Sequence, residues 1–171
     1  YWIDKSFESG ILAIDVETDS LNASLASLIG ISLSYEPGIA CYIPLSHKKI
    51  DENLEKQMNI NNVIKSLIPI LKDSSVMKIG QNLKYDILVL KNHGVSIVFP
   101  IDDTMLLSYV LFAGLHNHNL NDLSNKYLSH KTVSFEDLVG KGKNKITFDY
   151  VDLNNATYYA SEDADVTLRL W

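Results

Sequence analysis

Residues 10–17 read GILAIDVE, an apolar run that ends in two acidic residues. A short apolar run of this kind predicts a buried strand, and Asp15 and Glu17 occupy its carboxyl end. Side chains two positions apart on a strand point to the same face. Two adjacent carboxylates repel each other unless a cation neutralises them, and oxygen ligands suit Mg²⁺ or Mn²⁺. The segment therefore predicts either a divalent-cation site or a strand that simply emerges into solvent.

The rest of the chain predicts an α/β domain around that strand. Further strands are predicted at residues 28–35, 39–45, 76–80 and 95–99, and helices at residues 61–72, 82–92, 102–112, 119–128, 135–139 and 153–171. Pro37-Gly38 marks a turn, so the second and third strands should form an antiparallel hairpin. The later strand–helix–strand unit implies parallel pairing. The predicted fold class is therefore α/β, with a mixed sheet flanked by helices.

Capping residues predict where two of the helices begin. Asn61 or Asn62 should cap the first predicted helix, which Pro69 should bend or end early. Asp102 or Asp103 should cap the helix that runs to residue 112. A side-chain oxygen at these positions would accept hydrogen bonds from the backbone N–H groups that a helix start leaves free.

Length and composition favour one cytosolic domain. The chain has 171 residues, 46% of them hydrophobic, which is enough for a single core. It begins at Tyr1 rather than Met, and Trp171 ends an unfinished helical pattern, so we interpret residues 1–171 as one domain of a longer chain. No run approaches the ~18 apolar residues of a membrane span. The single Cys41 excludes an intrachain disulfide and favours the cytosol.

The net charge restricts the kind of nucleic-acid partner. A value of −6 argues against a module that coats duplex DNA with a basic face. It is compatible with an enzyme that grips a few nucleotides of one strand, because a cluster of acidic metal ligands itself adds negative charge. Basic residues gather at residues 141–145 (KGKNK), which predict a glycine-containing loop. Its first part, residues 140–143 (GKGK), is either solvated or in contact with a phosphate.

A third acid is predicted near the same edge of the sheet. Asp86 lies near the start of the helix that follows the strand at residues 76–80. It comes four residues after Asn82, so the two should share a face of that helix. Helices that follow parallel strands begin at the edge where open α/β sheets place ligands, so Asp86 should reach Asp15 and Glu17. An acid that merely stabilises a helix N-terminus is the alternative.

The final predicted helix offers a tyrosine and several acids. Tyr159 and Asp163 are four residues apart and share a face. Glu162 is three residues from Tyr159, so spacing alone leaves it as an alternative, whereas Asp165 points elsewhere. A solvated acidic helix face is the other interpretation.

Three blocks of sequence resemble a known family. They are AIDVETDSL at residues 13–21, KIGQNLKYD at 78–86 and YASEDADVTLRLW at 159–171, with HKTVSFEDLVGKGKN at 130–144 between the last two. In order and spacing they resemble the motifs of the 3′–5′ proofreading exonuclease domains of bacterial DNA polymerase I, the family A polymerases. The resemblance spans nearly the whole chain and implies a ribonuclease-H-like fold. One departure is Leu115, where some relatives carry a basic residue.

The resemblance also implies a set of site residues. The metal-binding carboxylates would be Asp15, Glu17, Asp86 and Asp163, and Tyr159 would complete the DEDDy set. Related enzymes of the other type carry histidine at the position of Tyr158, so the tyrosine type is implied here, with Asp163 rather than Glu162 as the last acid. Substrate contacts would come from other residues of the same blocks: Leu21, Gln81, Asn82, Tyr85 and Phe135.

The chemistry implied by the resemblance is hydrolysis of the 3′-terminal phosphodiester of DNA. Two divalent metal ions, Mg²⁺ or Mn²⁺, would act at the site, and Tyr159 would orient the attacking water. The products would be nucleoside 5′-monophosphates. The partners would be a single-stranded or frayed 3′ end of DNA and a polymerase domain in cis, in the bacterial cytoplasm, with no membrane and a monomeric isolated domain. The alternatives are a stand-alone RNase-D-like exonuclease and a non-catalytic domain that only supports a polymerase.

Overall fold

A computed structural model describes residues 1–48 and 57–171, and in it five strands form one mixed sheet. The strands are β1 (Ile11–Thr18), β2 (Leu28–Glu36), β3 (Ile39–Pro44), β4 (Met77–Gly80) and β5 (Ile101–Asp103). Their order across the sheet is β3-β2-β1-β4-β5. The β2–β3 hairpin and the β1–β2 pair are antiparallel, whereas β1–β4 and β4–β5 are parallel. The predicted mixed sheet with its hairpin is confirmed.

Helices cover both faces of this sheet. They are α1 (Trp2–Ser9), α2 (Ile60–Leu71), α3 (Lys84–Asn92), α4 (Thr104–Phe112), α5 (Leu120–Leu123), α6 (Phe135–Val139) and α7 (Leu153–Leu170). A π-helical turn spans Ser124–Leu128, and 3₁₀ turns span Gly142–Asn144 and Phe148–Tyr150. Within the two described ranges, every helix is too short or too polar to cross a membrane.

The sheet separates two layers of core. On one face, the side chains of β1 and β2 pack against α2 and α3 in the main hydrophobic cluster. On the other face, α7 crosses β1, β2 and β3. Ala156, Ala160 and Ala164 recur every four residues on α7 and are fully buried, so this stripe of small side chains lets the helix lie close to the sheet. That close approach brings the α7 side chains to the end of β1.

The prediction of a strand at residues 95–99 is wrong. These residues form an extended loop, and the strand is β5, which follows Pro100. Val95 is buried and Ile97 packs against the core, so the apolar residues of this segment belong to an extended loop packed on the core. Its backbone hydrogen-bonds to α2 and not to a strand, since the Val98 N–H donates to the Leu71 carbonyl at 2.9 Å.

The predicted start of α2 is also wrong by a short distance. The cap of α2 is Asn59, whose Oδ1 accepts from the N–H groups of Asn61 and Asn62 at 3.0 and 3.3 Å. The prediction had placed a cap on one of those two donors. The helix ends at Leu71, two residues after Pro69. Asp103 caps α4, so the second of the two predicted candidates, Asp102 and Asp103, is confirmed.

The start of α3 lies two residues later than predicted. Asn82 has a φ of 61°, in the left-handed region, so it cannot be helical. The helix begins at Lys84. The argument that Asn82 and Asp86 share a helical face therefore does not hold. Asp86 nevertheless lies in the first turn of α3, as expected. The α1 helix was not predicted at all.

Candidate active site

Three carboxylates meet where α7 crosses the end of β1. Asp15, Glu17 and Asp163 each offer an oxygen within 4.8 Å of the other two. Glu17 and Asp163 are only 7% and 9% exposed, so water does little to separate the charges. The strand supplies Asp15 and Glu17 on one face, and the close packing of α7 supplies Asp163. The fold thus brings together acids that lie almost 150 residues apart in sequence.

Burial raises the pKa of every acid in this cluster. It raises the pKa of Asp15 to about 7. For Glu17 and Asp163, burial and then repulsion from neighbouring carboxylates raise the pKa well above its usual range. Fully ionised, the cluster is an arrangement of like charges in a poorly solvated place, which is costly unless a cation joins it. The donor set consists of oxygens, the ligand type that Mg²⁺ and Mn²⁺ prefer.

Asp86 extends the acidic site from the other side of β1. Its Oδ1 accepts from the Val16 N–H at 3.0 Å. β4 pairs with β1 only as far as Ala13, so Asp86 supplies an acceptor where the neighbouring strand has ended. Asp86 is 3% exposed, and burial followed by the charge of Asp15 raises its pKa well above the usual range. The sequence prediction that Asp86 reaches the same edge is confirmed.

Tyr159 stands one helical turn before Asp163 in a wall of aromatic rings. Its ring centroid lies 6.1 Å from those of Phe135 and Phe148. Burial raises the pKa of the Tyr159 phenol far above its ordinary value, and the charges of the nearby carboxylates raise it further. The hydroxyl is therefore protonated at neutral pH.

The structure decides between Glu162 and Asp163. The Glu162 Oε1 lies 2.8 Å from His130 Nε2, and its Oε2 accepts from the Val133 N–H at 2.8 Å. Glu162 therefore anchors the loop that leads into α6, and it is not one of the three clustered acids. Asp165 accepts from the Gly38 N–H at 2.5 Å and also points elsewhere, as expected.

A cleft of about 500 Å³ opens above the acids. Its lining includes most of the predicted site residues: Asp15, Glu17, Leu21, Asn82, Tyr85, Phe135, Tyr159 and Asp163. Asp86 is not part of this lining, but its carboxylate accepts from the backbone of Val16, which is. Gln81 does not line the cleft: its Nε2 donates to the His118 carbonyl at 2.8 Å, and its Oε1 accepts from the Thr104 hydroxyl. Both ends of the Gln81 amide are thus committed within the protein.

The rim of the cleft includes a loop that holds Leu21 in solvent. Leu21 is 94% exposed. The Tyr85 hydroxyl bonds to Thr18 Oγ1 at 2.5 Å and donates to the Ser20 carbonyl. Further along, Asp19 Oδ1 accepts from the Ser27 N–H at 2.8 Å. These bonds hold the loop in place, so an apolar side chain is presented to solvent on a fixed backbone.

Asp103 has a second role that sequence reasoning missed. Besides capping α4, its Oδ1 accepts from the Asn82 N–H at 3.0 Å and its Oδ2 from the Leu83 N–H at 2.8 Å. One carboxylate therefore ties the left-handed turn before α3 to the start of α4, and so positions Asp86. Phe148 was missed as well. It is fully buried and stacks on Phe135 at 6.4 Å between centroids, and its spacing from the motifs carries no signal of that contact.

Comparison with known proteins agrees with this geometry. A family model described as 3′–5′ exonuclease matches residues 1–171. DNA polymerase I of Rhizobium leguminosarum is 43% identical over 185 aligned residues, which cover 99% of this chain and 18% of that polymerase. This chain thus spans less than a fifth of that relative's length. Brucella melitensis NrnC with bound Mg²⁺ has a TM-score of 0.67 at 23% identity, covering 96% of this chain and 71% of NrnC.

A third similarity shows how widely the fold is shared. Escherichia coli RNase D, described as an exoribonuclease involved in structured RNA processing, has a TM-score of 0.67 at 15% identity, over 99% of this chain and 40% of its own. The sheet, the helices and the acidic cleft define a ribonuclease-H-like nuclease domain. This chain belongs to the 3′–5′ exonuclease family found in bacterial DNA polymerase I.

Proposed function

We propose that this domain hydrolyses the 3′-terminal phosphodiester of a DNA strand, releases nucleoside 5′-monophosphates and proofreads for a polymerase domain in the same polypeptide. The observation that supports this most directly is the cluster of three carboxylates, two buried and one half-buried, within 4.8 Å of one another in an open cleft. The volume of about 500 Å³ is in the range of small-ligand sites. It suits one or two terminal nucleotides of an unpaired strand.

The acids fit a divalent-metal site. Asp15, Glu17 and Asp163 would hold one Mg²⁺ or Mn²⁺, and Asp86, next to Asp15, would help to hold a second. When bound, two such cations supply polarisation of the attacking water and neutralisation of charge on the leaving oxygen. Each carboxylate must lose its proton to act as a ligand, so the raised pKa values make metal binding and proton release a single linked event.

The remaining cleft residues would hold and orient the strand. The Tyr159 hydroxyl keeps its proton and can hydrogen-bond to the attacking water, which makes it an orienting group and not a general base. Phe135 offers an aromatic face against which any base can pack. Leu21 on its fixed loop would wedge against the terminal base, and Asn82 and Tyr85 would contact sugar or phosphate. We assign Gln81 to holding the end of β4, since its amide is already bonded within the protein.

DNA is favoured over RNA as substrate because the family match and the 43%-identical relative point to DNA polymerase I, whereas the likeness to RNase D extends to the fold alone. A non-catalytic role is disfavoured because all four acids and the tyrosine are present: Asp15, Glu17, Tyr159 and Asp163 line one cleft, and Asp86 bonds to Val16 of the same lining. We further propose that residues 1–171 are one domain of a longer polymerase, that the isolated domain is monomeric, and that it acts in the bacterial cytoplasm.

Digestion of 5′-labelled oligonucleotides, with chromatography of the released products, tests this function. Single-stranded DNA, a 3′-mismatched duplex, a paired duplex and single-stranded RNA of the same sequence would be compared in Mg²⁺, Mn²⁺ and EDTA. We expect stepwise shortening from the 3′ end, mononucleotide products and full inhibition by EDTA. Faster cutting of RNA would favour the RNase-D-like alternative. Absence of both cutting and metal binding would favour the non-catalytic one.

A further inference from the structure

One wall of the cleft carries a lysine that no motif assigns. Lys145 follows the turn Gly142–Asn144 and lines the cleft together with Phe135. Its Nζ lies 5.9 Å from the centroid of the Phe135 ring. The Lys145 N–H donates to the Gly142 carbonyl at 3.3 Å, and the next residue, Ile146, donates to the Val139 carbonyl at 2.9 Å. The backbone on both sides of Lys145 is therefore held to α6 and its turn.

The charge around Lys145 is strongly negative. Five acids line the cleft, namely Asp15, Glu17, Asp19, Glu136 and Asp163. Among the lining residues that the structure describes, Lys145 has the only cationic side chain. A nucleic-acid backbone that enters this cleft therefore meets one attractive group among several repulsive ones.

The ammonium of Lys145 is available for a ligand, unlike that of its neighbour. Lys141, on the same loop, pairs with Glu136 at 2.8 Å. Among the ion pairs found in the described part of the chain, none includes Lys145. Lys145 combines an exposed head group with a backbone held in place, which suits a point-charge contact to phosphate.

We propose that Lys145 is a substrate-binding residue whose ammonium contacts a phosphate of the strand other than the scissile one. The inference rests on the proposed exonuclease function. The scissile phosphate must lie at the acids, whereas Lys145 lies beside Phe135 on the wall. A base packed on Phe135 would bring its own backbone phosphate within reach of the lysine head group. The aromatic ring and the cation thus form one nucleotide subsite, in which the ring takes the base and the lysine takes the phosphate.

Salt dependence of strand binding tests this directly. Wild type, Lys145→Gln and Lys145→Arg would be compared with Lys143→Gln, a matched control on the same loop whose lysine does not line the cleft. Affinity for a fluorescent single-stranded oligonucleotide would be measured in EDTA from low to high KCl. Each phosphate contact to a single strand contributes a slope of about 0.7 in log affinity against log salt. We expect Lys145→Gln to lose about that much slope, while Lys145→Arg and Lys143→Gln keep the wild-type value.

Hydrolysis in Mg²⁺ supplies the second readout. We expect Lys145→Gln to raise KM several-fold with kcat nearly unchanged, because the contact binds substrate and transition state alike. Equal salt slope and equal KM for the Lys145→Gln and Lys143→Gln variants would overturn the proposal. A wild-type protein that binds the strand but does not cut it in Mg²⁺ or Mn²⁺ would instead contradict the exonuclease function, so the two failures are distinguishable.

Discussion

At the scale of single residues, Asp15 is the carboxylate through which the others interact. After burial itself, the charge of Asp15 is the next cause that raises the pKa of each of the other three acids: Glu17, Asp86 and Asp163. A residue in that position controls both the repulsion among the acids in the absence of a cation and the charge available to a cation. Its loss should therefore affect stability and activity in opposite directions.

We expect Asp15→Asn to reduce metal-dependent hydrolysis by two or more orders of magnitude. Losing one ligand forfeits several kcal/mol of transition-state stabilisation, and each ~1.4 kcal/mol is about tenfold in rate. The melting temperature in EDTA should be unchanged or higher, because one repelling charge has gone. Asp4→Asn, an exposed acid on α1, serves as the control. Near-wild-type turnover by the Asp15 variant would exclude the metal-site assignment.

Tyr159→Phe tests whether the hydroxyl orients the attacking water. We expect kcat to fall by on the order of tenfold or more with KM almost unchanged, since the contact is used mainly in the transition state. Any alkaline limb of the pH–rate profile should survive, because the raised pKa of Tyr159 keeps the phenol protonated. Tyr158→Phe is the matched control, because Tyr158 is the preceding residue and its side chain is 63% exposed. Loss of the alkaline limb in the Tyr159 variant would instead identify the phenol as a titrating base.

At the scale of elements, helix starts position the acids. The two oxygens of Asp103 accept from N–H groups at the starts of both α3 and α4. Asp86 lies in the first turn of α3 and in turn accepts from Val16 on β1. Asp103 and Asp86 thus link the α4 cap to β1 through the start of α3. In each case a carboxylate accepts from a backbone N–H that has no backbone partner there.

Asp103→Ala should therefore cost activity as well as stability. Loss of a helix cap typically costs about 1–2 kcal/mol, and here the turn before α3 is released too. We expect a lower melting temperature together with a several-fold fall in kcat. The matched control is Asn59→Ala, which removes the cap of α2 and lies outside the cleft. If both variants lose stability and both keep wild-type kcat at a temperature where they are folded, Asp103 has no positioning role.

Local sequence patterns predict the helices and strands well, but they predict the contacts between those elements poorly. The apolar run at residues 10–17 was sufficient for β1, because burial and side-chain alternation are properties of neighbouring residues. The same reasoning failed at residues 95–99, where an extended loop packed on the core mimics a strand. Spacing could not decide between Glu162 and Asp163, since the choice depends on His130 and Val133, about 30 residues away.

At the scale of the whole molecule, the site is assembled from both ends of the chain. β1 supplies Asp15 and Glu17 and α7 supplies Asp163, and the two elements meet because the small side chains of α7 allow close packing on the sheet. Long-range assembly of this kind concentrates like charges at one point of the fold. The folded state therefore carries an electrostatic cost that the unfolded chain does not.

That cost predicts how stability depends on pH and metal. In the folded, metal-free domain the pKa of Asp15 is raised to about 7, whereas the pKa of an Asp in the unfolded chain is about 3.9. Below pH ~4 both states are protonated, and between about 4 and 7 the unfolded chain has lost a proton that the folded domain keeps. The unfolded state then binds fewer protons, so stability falls as pH rises through this window. The raised pKa values of Glu17, Asp86 and Asp163 act with the same sign.

The melting temperature in EDTA and in Mg²⁺ between pH 5 and pH 8 measures this effect. Burial lowers the pKa of His47 and His93, which contributes a slope of the opposite sign in both conditions. The difference between the two curves removes that contribution, so it isolates the acids. One pKa unit corresponds to about 1.4 kcal/mol, which is several degrees for a domain of this size. We expect stabilisation by Mg²⁺ to grow by at least that much from pH 5 to pH 7, and to shrink in Asp15→Asn. A metal effect independent of pH would show that the carboxylates are ionised before the cation binds.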